Sequence, residues 1–423
     1  MTHFGILCPP SAGHLNPMTS LGNELLNRGH QVTVVGVPDA QAKAKASGLD
    51  FQPVGASEFP LGSVAEFLKH LGEMSGFAAL LYTINQYKKG AMVSFREGTE
   101  VIKGAGIDAL LIDQSIFEGG TIAEYLKIPF ITVCNAIILN SDPVVPPAHL
   151  PWDYHSEWWA YLRNQMGYTA MGLLAFQIGS VIEAQRQSWG LPKYPNPECM
   201  WSDLAQISQQ PVEFEFPRTQ LPRCFHFAGP FINSKIREKV DFPFDKLTGK
   251  PLIYASLGTV QNRLSWIFNE IAKACADLDV QLVLSLGGSL QSELFSSLPG
   301  NPIVVNFAPQ LDLIQKAALT ITHAGINTTL ESLSYGVPLV AIPIANDQPG
   351  IASRINWTGT GKVIQLHELH GSRLRDAISM VLNEKTYTDN AQRLRIAISR
   401  SGGVMLAANI VEQAVMTGES MLN

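Results

Sequence analysis

Between His323 and Gln348 the chain reads HAGINTTLESLSYGVPLVAIPIANDQ, a succession of residue types suited to a phosphate, a ribose and a sugar in turn. The β-branched run 319–322 predicts a buried parallel strand, Ala324-Gly325 a tight turn, and the residues from about Asn327 a helix. Such a junction aims backbone N–H groups and the positive end of a helix dipole at one point, which suits an anion, phosphate above all. Asn327 and Thr328 add neutral donors. Glu331 lies one helical turn beyond Asn327, and a carboxylate there suits two ribose hydroxyls. Gly336-Val337-Pro338 ends the helix, a strand over 339–344 follows, and Asp347-Gln348 at its carboxyl end suits a hexose. Each residue alone has an ordinary structural reading, N-capping for Asn-Thr-Thr among them. Their joint spacing is the signal.

A second set lies near the amino terminus. Pro9-Pro10-Ser11-Ala12-Gly13-His14 closes the first strand, and Asn16-Pro17 begins a helix with Pro17 near its first turn. His14 either caps local backbone or projects into a cleft as a base, since a neutral imidazole with a reference pKa of about 6.5 can take a hydroxyl proton. A base of this kind benefits from a carboxylate on its other ring nitrogen. Asp113 ends the strand 109–112 at the same sheet edge, whereas Asp108 stands at the wrong end. No G-x-G-x-x-G is present, so a nicotinamide or flavin has no support, and no D-x-D pair at a strand end implies a metal.

These groups need a scaffold of strand ends. Apolar runs at 3–9, 31–37, 107–112 and 130–133 alternate with helical sequence such as 16–27, the rhythm of a doubly wound sheet. The second half repeats it with strands at 251–257, 280–286, 303–306, 319–323 and 339–344. The charged, Pro-containing stretch 232–250 reads as a linker. The expected division is 1–231, linker 232–250, 251–406 and a terminal helix in 407–423. Two such halves bind ligand in the cleft between them, at the carboxyl ends of their strands.

Composition sets bounds. A chain of 423 residues, 46% apolar, is long for one core and predicts two domains. Charged residues are 16%, yet no run of about 18 apolar residues marks a membrane span. The stretch 170–182 reads as a core or pocket-lining helix. A net charge of −6 without a basic tract argues against nucleic acid. Five dispersed cysteines without metal spacing, and no signal-like start, predict a cytoplasmic protein.

The block His323, Gly325, Asn327, Thr328, Glu331, Gly336-Val337-Pro338, Pro343 and Asp347-Gln348 resembles the donor motif of the family 1 UDP-dependent glycosyltransferases, H-x-G-x-N-[ST]-x-x-E, G-V-P and P-x-x-x-D-Q. Gly13-His14-Leu15-Asn16-Pro17 resembles the family's G-H-[LIV]-x-P, in which the His is the general base, and the family's partner Asp ends the strand corresponding to that of Asp113. Ser256-Leu257-Gly258-Thr259 resembles its S-x-G-[ST] element, which implies diphosphate or sugar contacts for Ser256 and Thr259, with Gly258 allowing close backbone approach. Phe307-Ala308-Pro309-Gln310 resembles W-x-P-Q, where uracil is held; Phe307 offers a smaller ring than the Trp of many plant members. The resemblance implies the α/β GT-B fold, two Rossmann-like domains facing across a cleft, with acceptor bound by the first half and UDP-sugar by the second. It also implies an inverting, metal-independent hexosyl transfer with no cofactor besides the donor substrate, UDP-glucose in the first instance.

The acceptor is written less clearly. Residues 135–201 are rich in bulky apolar groups, Trp152, Trp158, Trp159 and Phe176 among them, and in this fold the region lines the acceptor pocket. Glu213-Phe214-Glu215-Phe216-Pro217-Arg218, the run DQPGIASRI from Asp347, and residues 402–413 resemble bacterial zeaxanthin glucosyltransferases. A carotenoid is then the expected acceptor, with sterol, macrolide or polyphenol alcohols as alternatives. A lipid-dwelling acceptor implies peripheral membrane contact, although no polybasic amphipathic helix demands it. A sugar-nucleotide epimerase shares the fold but needs no His14–Asp113 pair facing an apolar pocket, and a non-catalytic binding protein would have lost the base.

Overall fold

The computed structural model describes residues 1–74, 76–237, 239–259, 264–288, 295 and 297–423. Its first sheet contains β1 (His3–Leu7), β2 (Gln31–Gly36), β3 (Asp50–Pro53), β4 (Ala109–Asp113), β5 (Phe130–Cys134), β6 (Gln206–Ser208) and β7 (Phe225–Phe227), in the order β3-β2-β1-β4-β5-β6-β7. The second contains β8 (Leu252–Ser256), β9 (Gln281–Ser285), β10 (Ile303–Val305), β11 (Ala317–Thr322), β12 (Leu339–Ala341) and β13 (Gly361–Val363), in the order β10-β9-β8-β11-β12-β13. Every pairing is parallel. Parallel strands need crossovers that cover both faces, so the central strands β4 and β8 are buried along their whole length. In each sheet the strand order reverses beside the first strand, β1 or β8, which opens a crevice at their carboxyl ends.

Helices α1 (Ala12–Asn27), α2 (Gln41–Ala46), α3 (Ser63–Gly72), α4 (Gly76–Val93), α5 (Thr99–Gly104), α6 (Gly119–Leu126) and α7 (Trp158–Ser188) serve the first half. In the second stand α8 (Ser265–Cys275), α9 (Gln310–Ile314), α10 (Ile326–Ser334), α11 (Gln348–Trp357), α12 (Gly371–Asn383) and α13 (Lys385–Arg400). The last helix, α14 (Gly403–Thr417), returns to the first sheet. There Ala407, Ala408, Ile410, Val411 and Ala414 share a core with Phe4, Ile6 and Leu21, and Glu412 binds Arg28 and His30. By length and composition the helical span Lys385–Thr417 could cross a membrane. It is two helices, broken at left-handed Gly402, and the second has its apolar face in that core.

The halves also touch beside the crevice. Leu71 and Ala79 of α3 and α4 enter the core around Ile253 and Leu284, and Ile137, Ala148 and Phe214 pack with Ile326, Ile351 and Ile355.

Several boundaries differ from those the sequence predicts. The strand expected over 3–9 stops at Leu7, ahead of Pro9-Pro10, and that over 339–344 stops at Ala341, before Pro343, because proline cannot donate to a ladder. The helix expected from Asn16 starts at Ala12, which puts Pro17 inside α1 rather than in its first turn.

Candidate active site

His14 and Asp113 meet where β1 and β4 end side by side. His14 Nδ1 lies 2.7 Å from Asp113 Oδ2. The same oxygen accepts from Asn135 Nδ2 at 2.7 Å, while Oδ1 accepts from the Ser115 backbone N–H at 2.9 Å and its hydroxyl at 2.5 Å. Four donors on a buried carboxylate keep it ionised. Burial opposes the charge, but His14, Asn135 and Ser115 together hold the Asp113 carboxyl below its usual range. Because a carboxylate can only accept, Nδ1 carries the proton and Nε2 is left as the basic nitrogen. Burial works against the imidazolium as well, yet Asp113, with a smaller contribution from Asp347, raises the His14 pKa above 6.5. Asp347 belongs to the second half, so its charge reaches the dyad from across the cleft.

On that second half, His323 follows β11 and Ala324 takes a left-handed φ of 65° without being glycine, a local strain of the kind held at functional turns. The turn delivers Gly325 as the N-cap of α10. The His323 ring lies between Gly258 and Gly325; a Cβ at either position would come within 2.6 Å of Cε1. Gly258 is thus needed first for the imidazole, where close approach to a phosphate was expected. Burial lowers the His323 pKa to about 4, so the ring is neutral, and its Nδ1 is buried without a partner. The neighbouring Ser256 hydroxyl accepts from the Gly258 N–H at 3.2 Å, and Thr259 follows, half-buried.

Several expected donor contacts are already engaged within the protein. Asn327 Nδ2 donates to the Gly13 carbonyl at 2.8 Å and its Oδ1 accepts from Gln209 at 2.9 Å, so its side chain is a strut across the cleft. Gln310, expected beside a base, accepts from the Tyr254 hydroxyl at 2.9 Å and donates to Glu331 at 2.5 Å and Thr328 at 3.4 Å. Glu331 is paired in addition with Arg237. Phe307 leaves about half its surface (52%) to solvent, with its ring against Gly288, an open platform on which a base can stack. Ala308 behind it packs into the core.

Asp347 and Gln348 start α11 rather than ending a strand. Gln348 Oε1 accepts from the backbone N–H groups of Ile344 and Ala345, at 2.8 and 3.0 Å, which fixes the loop that carries Asp347. From the same helix, Arg354 donates to buried Glu215 of the first half (Nε–Oε2 3.0 Å) and stacks 4.3 Å over Phe216, while Arg218 reaches Glu215 at 3.2 Å. Gly350 lies so close to the Ala148 carbonyl that a Cβ would meet it at 2.1 Å. This junction sets the distance between Asp347 and His14.

The acceptor side corrects the aromatic expectation. The long helix α7 packs inward through Ala160, Asn164, Gly167, Ile178 and Ile182, which turns Trp158 (76% exposed) and Phe176 (70% exposed) to solvent. Trp159 lies beside His155, and Trp152 packs on Gly167 under Arg163. These aromatics do not form an enclosed pocket wall.

Residues not singled out in the sequence also carry buried polar or charged groups, Asn135 on the dyad itself. Asn135 directly follows β5 where Asp113 ends β4, so the strand-end rule would have found it. The pKa of Tyr87 of α4 is pushed well up by burial and by the charges of Asp113, Asp347 and Glu118, so its hydroxyl stays protonated near neutrality. Glu118 is itself raised to about 7 by burial. His149 is lowered by burial against the opposing charge of Asp347. Nothing in local periodicity marks these three.

The zeaxanthin glucosyltransferase of Pantoea ananas is 33% identical over 426 residues, covering 100% of this chain and 98% of the relative. That of Pseudescherichia vulneris is 30% identical over 424 residues, covering 100% of both. The solved glycotransferase of kitacinnamycin superposes with a TM-score of 0.76 at 21% identity, over 98% of this chain and 99% of the other, and this likeness bears out the GT-B fold. Residues 6–399 match the family described as "UDP-glucoronosyl and UDP-glucosyl transferase", and the chain belongs to that family.

Proposed function

We propose that the chain moves glucose from UDP-glucose to a hydroxyl of a large apolar alcohol, a carotenoid such as zeaxanthin in the first instance. The 2.7 Å His14–Asp113 bond is the observation that carries this reading, since it leaves Nε2 basic at the mouth of a cleft whose far side holds Asp347. The names of the two full-length relatives support the acceptor and the sugar.

In this mechanism the acceptor oxygen attacks C1 of the sugar as His14 Nε2 takes its proton. The O–C1 bond forms while the bond from C1 to the β-phosphate oxygen breaks, and the electron pair leaves with UDP. A single in-line displacement inverts the anomeric centre. Asp113 stabilises the imidazolium as it forms. Backbone N–H groups at the start of α10, with Ser256, Thr259, His323 and Thr328, receive the diphosphate, a task that helix-start donors perform without a metal. Ribose hydroxyls bind Glu331, uracil stacks on Phe307, and Asp347 with Gln348 holds the sugar.

Purified protein incubated with UDP-glucose and a panel of apolar alcohols, zeaxanthin included, tests the reading by mass gain. One hexose on zeaxanthin supports it. Hexose only on a sterol, macrolide or polyphenol would move the acceptor, and UDP binding without any adduct would sink the transferase assignment.

A further inference from the structure

We propose that the outward face of α7 docks on the hydrocarbon margin of a neutral lipid bilayer. A helix on the surface of a water-soluble domain ordinarily presents polar side chains opposite its packed face. Here the face opposite Ala160, Asn164, Gly167, Ile178 and Ile182 carries Trp158, Leu162, Met166, Leu173 and Phe176. Met166 and Leu173 are each 73% exposed, and Leu162 is 48% exposed. From Trp158 to Phe176 this stripe runs about 27 Å, more than the scattered apolar side chains of an ordinary surface.

Charge identifies the occupant. From position 158 to 182 the only charged residue is Arg163. Its guanidinium is folded back, 4.9 Å from the Trp152 ring and 5.3 Å from that of Trp159, and it donates to the Asp153 carbonyl at 2.9 Å. A protein partner of stable affinity meets a polar rim with matching donors and acceptors, and from Trp158 to Phe176 the exposed polar side chains are Tyr161, Gln165 and Thr169. Hydrocarbon asks for no such match. Trp158, Trp159 and Tyr161, grouped at one end, are the residue types that settle at a bilayer's polar boundary. With a net charge of −6 and no basic cluster, attraction to anionic headgroups is not the driving force. The placement is also continuous with the cleft: Ile178 and Ile182 on the inner side of α7 pack with Ile84 and Tyr87 of α4, and Tyr87 feels the charges of Asp113 and Asp347.

The inference stands apart from the acceptor reading, because vesicle binding needs no transfer reaction. The experiment is co-sedimentation of the full chain with phosphatidylcholine vesicles, with and without phosphatidylglycerol, at low and high salt, beside the triple variant Leu162→Gln/Met166→Gln/Leu173→Gln. The expected result is binding to both vesicle types, insensitive to salt, and weakened at least about tenfold in the variant, with UDP affinity and thermal midpoint unchanged. A blue shift of tryptophan fluorescence on adding vesicles to the unaltered chain gives the same readout if the variant misfolds. No binding to either vesicle type, or binding that requires phosphatidylglycerol and disappears in salt, would overturn the proposal. So would a dimer in sedimentation velocity that the variant converts to monomer, since the stripe would then be an interface between copies.

Discussion

The Gly13 carbonyl accepts a 2.8 Å hydrogen bond from the Asn327 side chain, and Pro17 is the reason that it is free to do so. Inside a helix, the carbonyl at position 13 would accept from the N–H of residue 17. Proline has no N–H, so α1 carries an unclaimed acceptor one residue before His14, and the second half supplies the donor. Helix geometry in one half is thereby linked to the donor motif in the other. Pro17→Ala restores the internal bond and competes with Asn327. The expected outcome is a higher thermal midpoint with kcat/KM reduced about fivefold, the worth of roughly 1 kcal/mol of hydrogen bonding. A raised midpoint with unchanged kcat/KM would show that the strut has no part in turnover.

The dyad makes a prediction in pH. His14 works as a base only when neutral, and its pKa is raised above 6.5 by Asp113 and Asp347 against the effect of burial. Activity should therefore rise with pH through an acid limb lying above 6.5. Asp113→Asn removes the principal charge and lets burial dominate, so the limb moves to lower pH. The amide can also donate to Nδ1 and put the proton on Nε2, so kcat should fall by about 10³–10⁴. The pH profiles of kcat/KM for the two proteins decide. An acid limb at the same pH in both would remove Asp113 from the mechanism.

Much of this site was readable in the chain, for a definite reason. Buried parallel strands are apolar throughout, so Leu319–Thr322 and Ala109–Ile112 stand out, and the polar residue that ends each run lies at the sheet's functional edge. Residues reached through tertiary packing were not readable. β6 and β7 span only Gln206–Ser208 and Phe225–Phe227, too few residues for alternation to register. The facing of α7 was hidden because both its sides are apolar, which leaves periodicity nothing to report. The Glu215–Arg354 pair joins two segments, EFEFPR and DQPGIASRI, whose resemblance to zeaxanthin glucosyltransferases was visible while their contact was not.

Glu118 gives a stability test. Burial raises its pKa from 4.5 to about 7, so the folded protein holds a proton there that the unfolded chain releases. Between these values the folded state binds more protons, and the Glu118 contribution to stability falls as pH rises. Replacing it with neutral Gln removes that dependence. At pH 8 Glu118→Gln should be more stable than the parent, relative to their difference at pH 4.5, by about 3 kcal/mol. Urea denaturation at both pH values measures it, and an equal difference at the two would show that Glu118 is not held protonated.

The Arg354 guanidinium and the Glu215 carboxylate are both buried, so their pairing is judged by what each leaves behind. Glu215 is held below the usual carboxylate range, against burial, by Arg354 and Arg218. Arg354→Ala strands part of that charge and should destabilise the fold by about 3–5 kcal/mol. Arg354→Met with Glu215→Gln keeps the volume and removes both charges, while Arg218 keeps the Asn140 and Ile138 carbonyls and the Asp142 charge, so the stability cost should be under that of Arg354→Ala. The double variant should still lose turnover: α11 carries Asp347, and the ion pair is the buried charged contact that ties this helix to the half holding His14. The expected signature is near-parental unfolding in urea, with a lowered kcat and a raised KM for UDP-glucose. Parental kinetics in a stable double variant would show that the apolar contacts of Ile137, Ala148 and Phe214, with the Asn327 strut, suffice to hold the cleft.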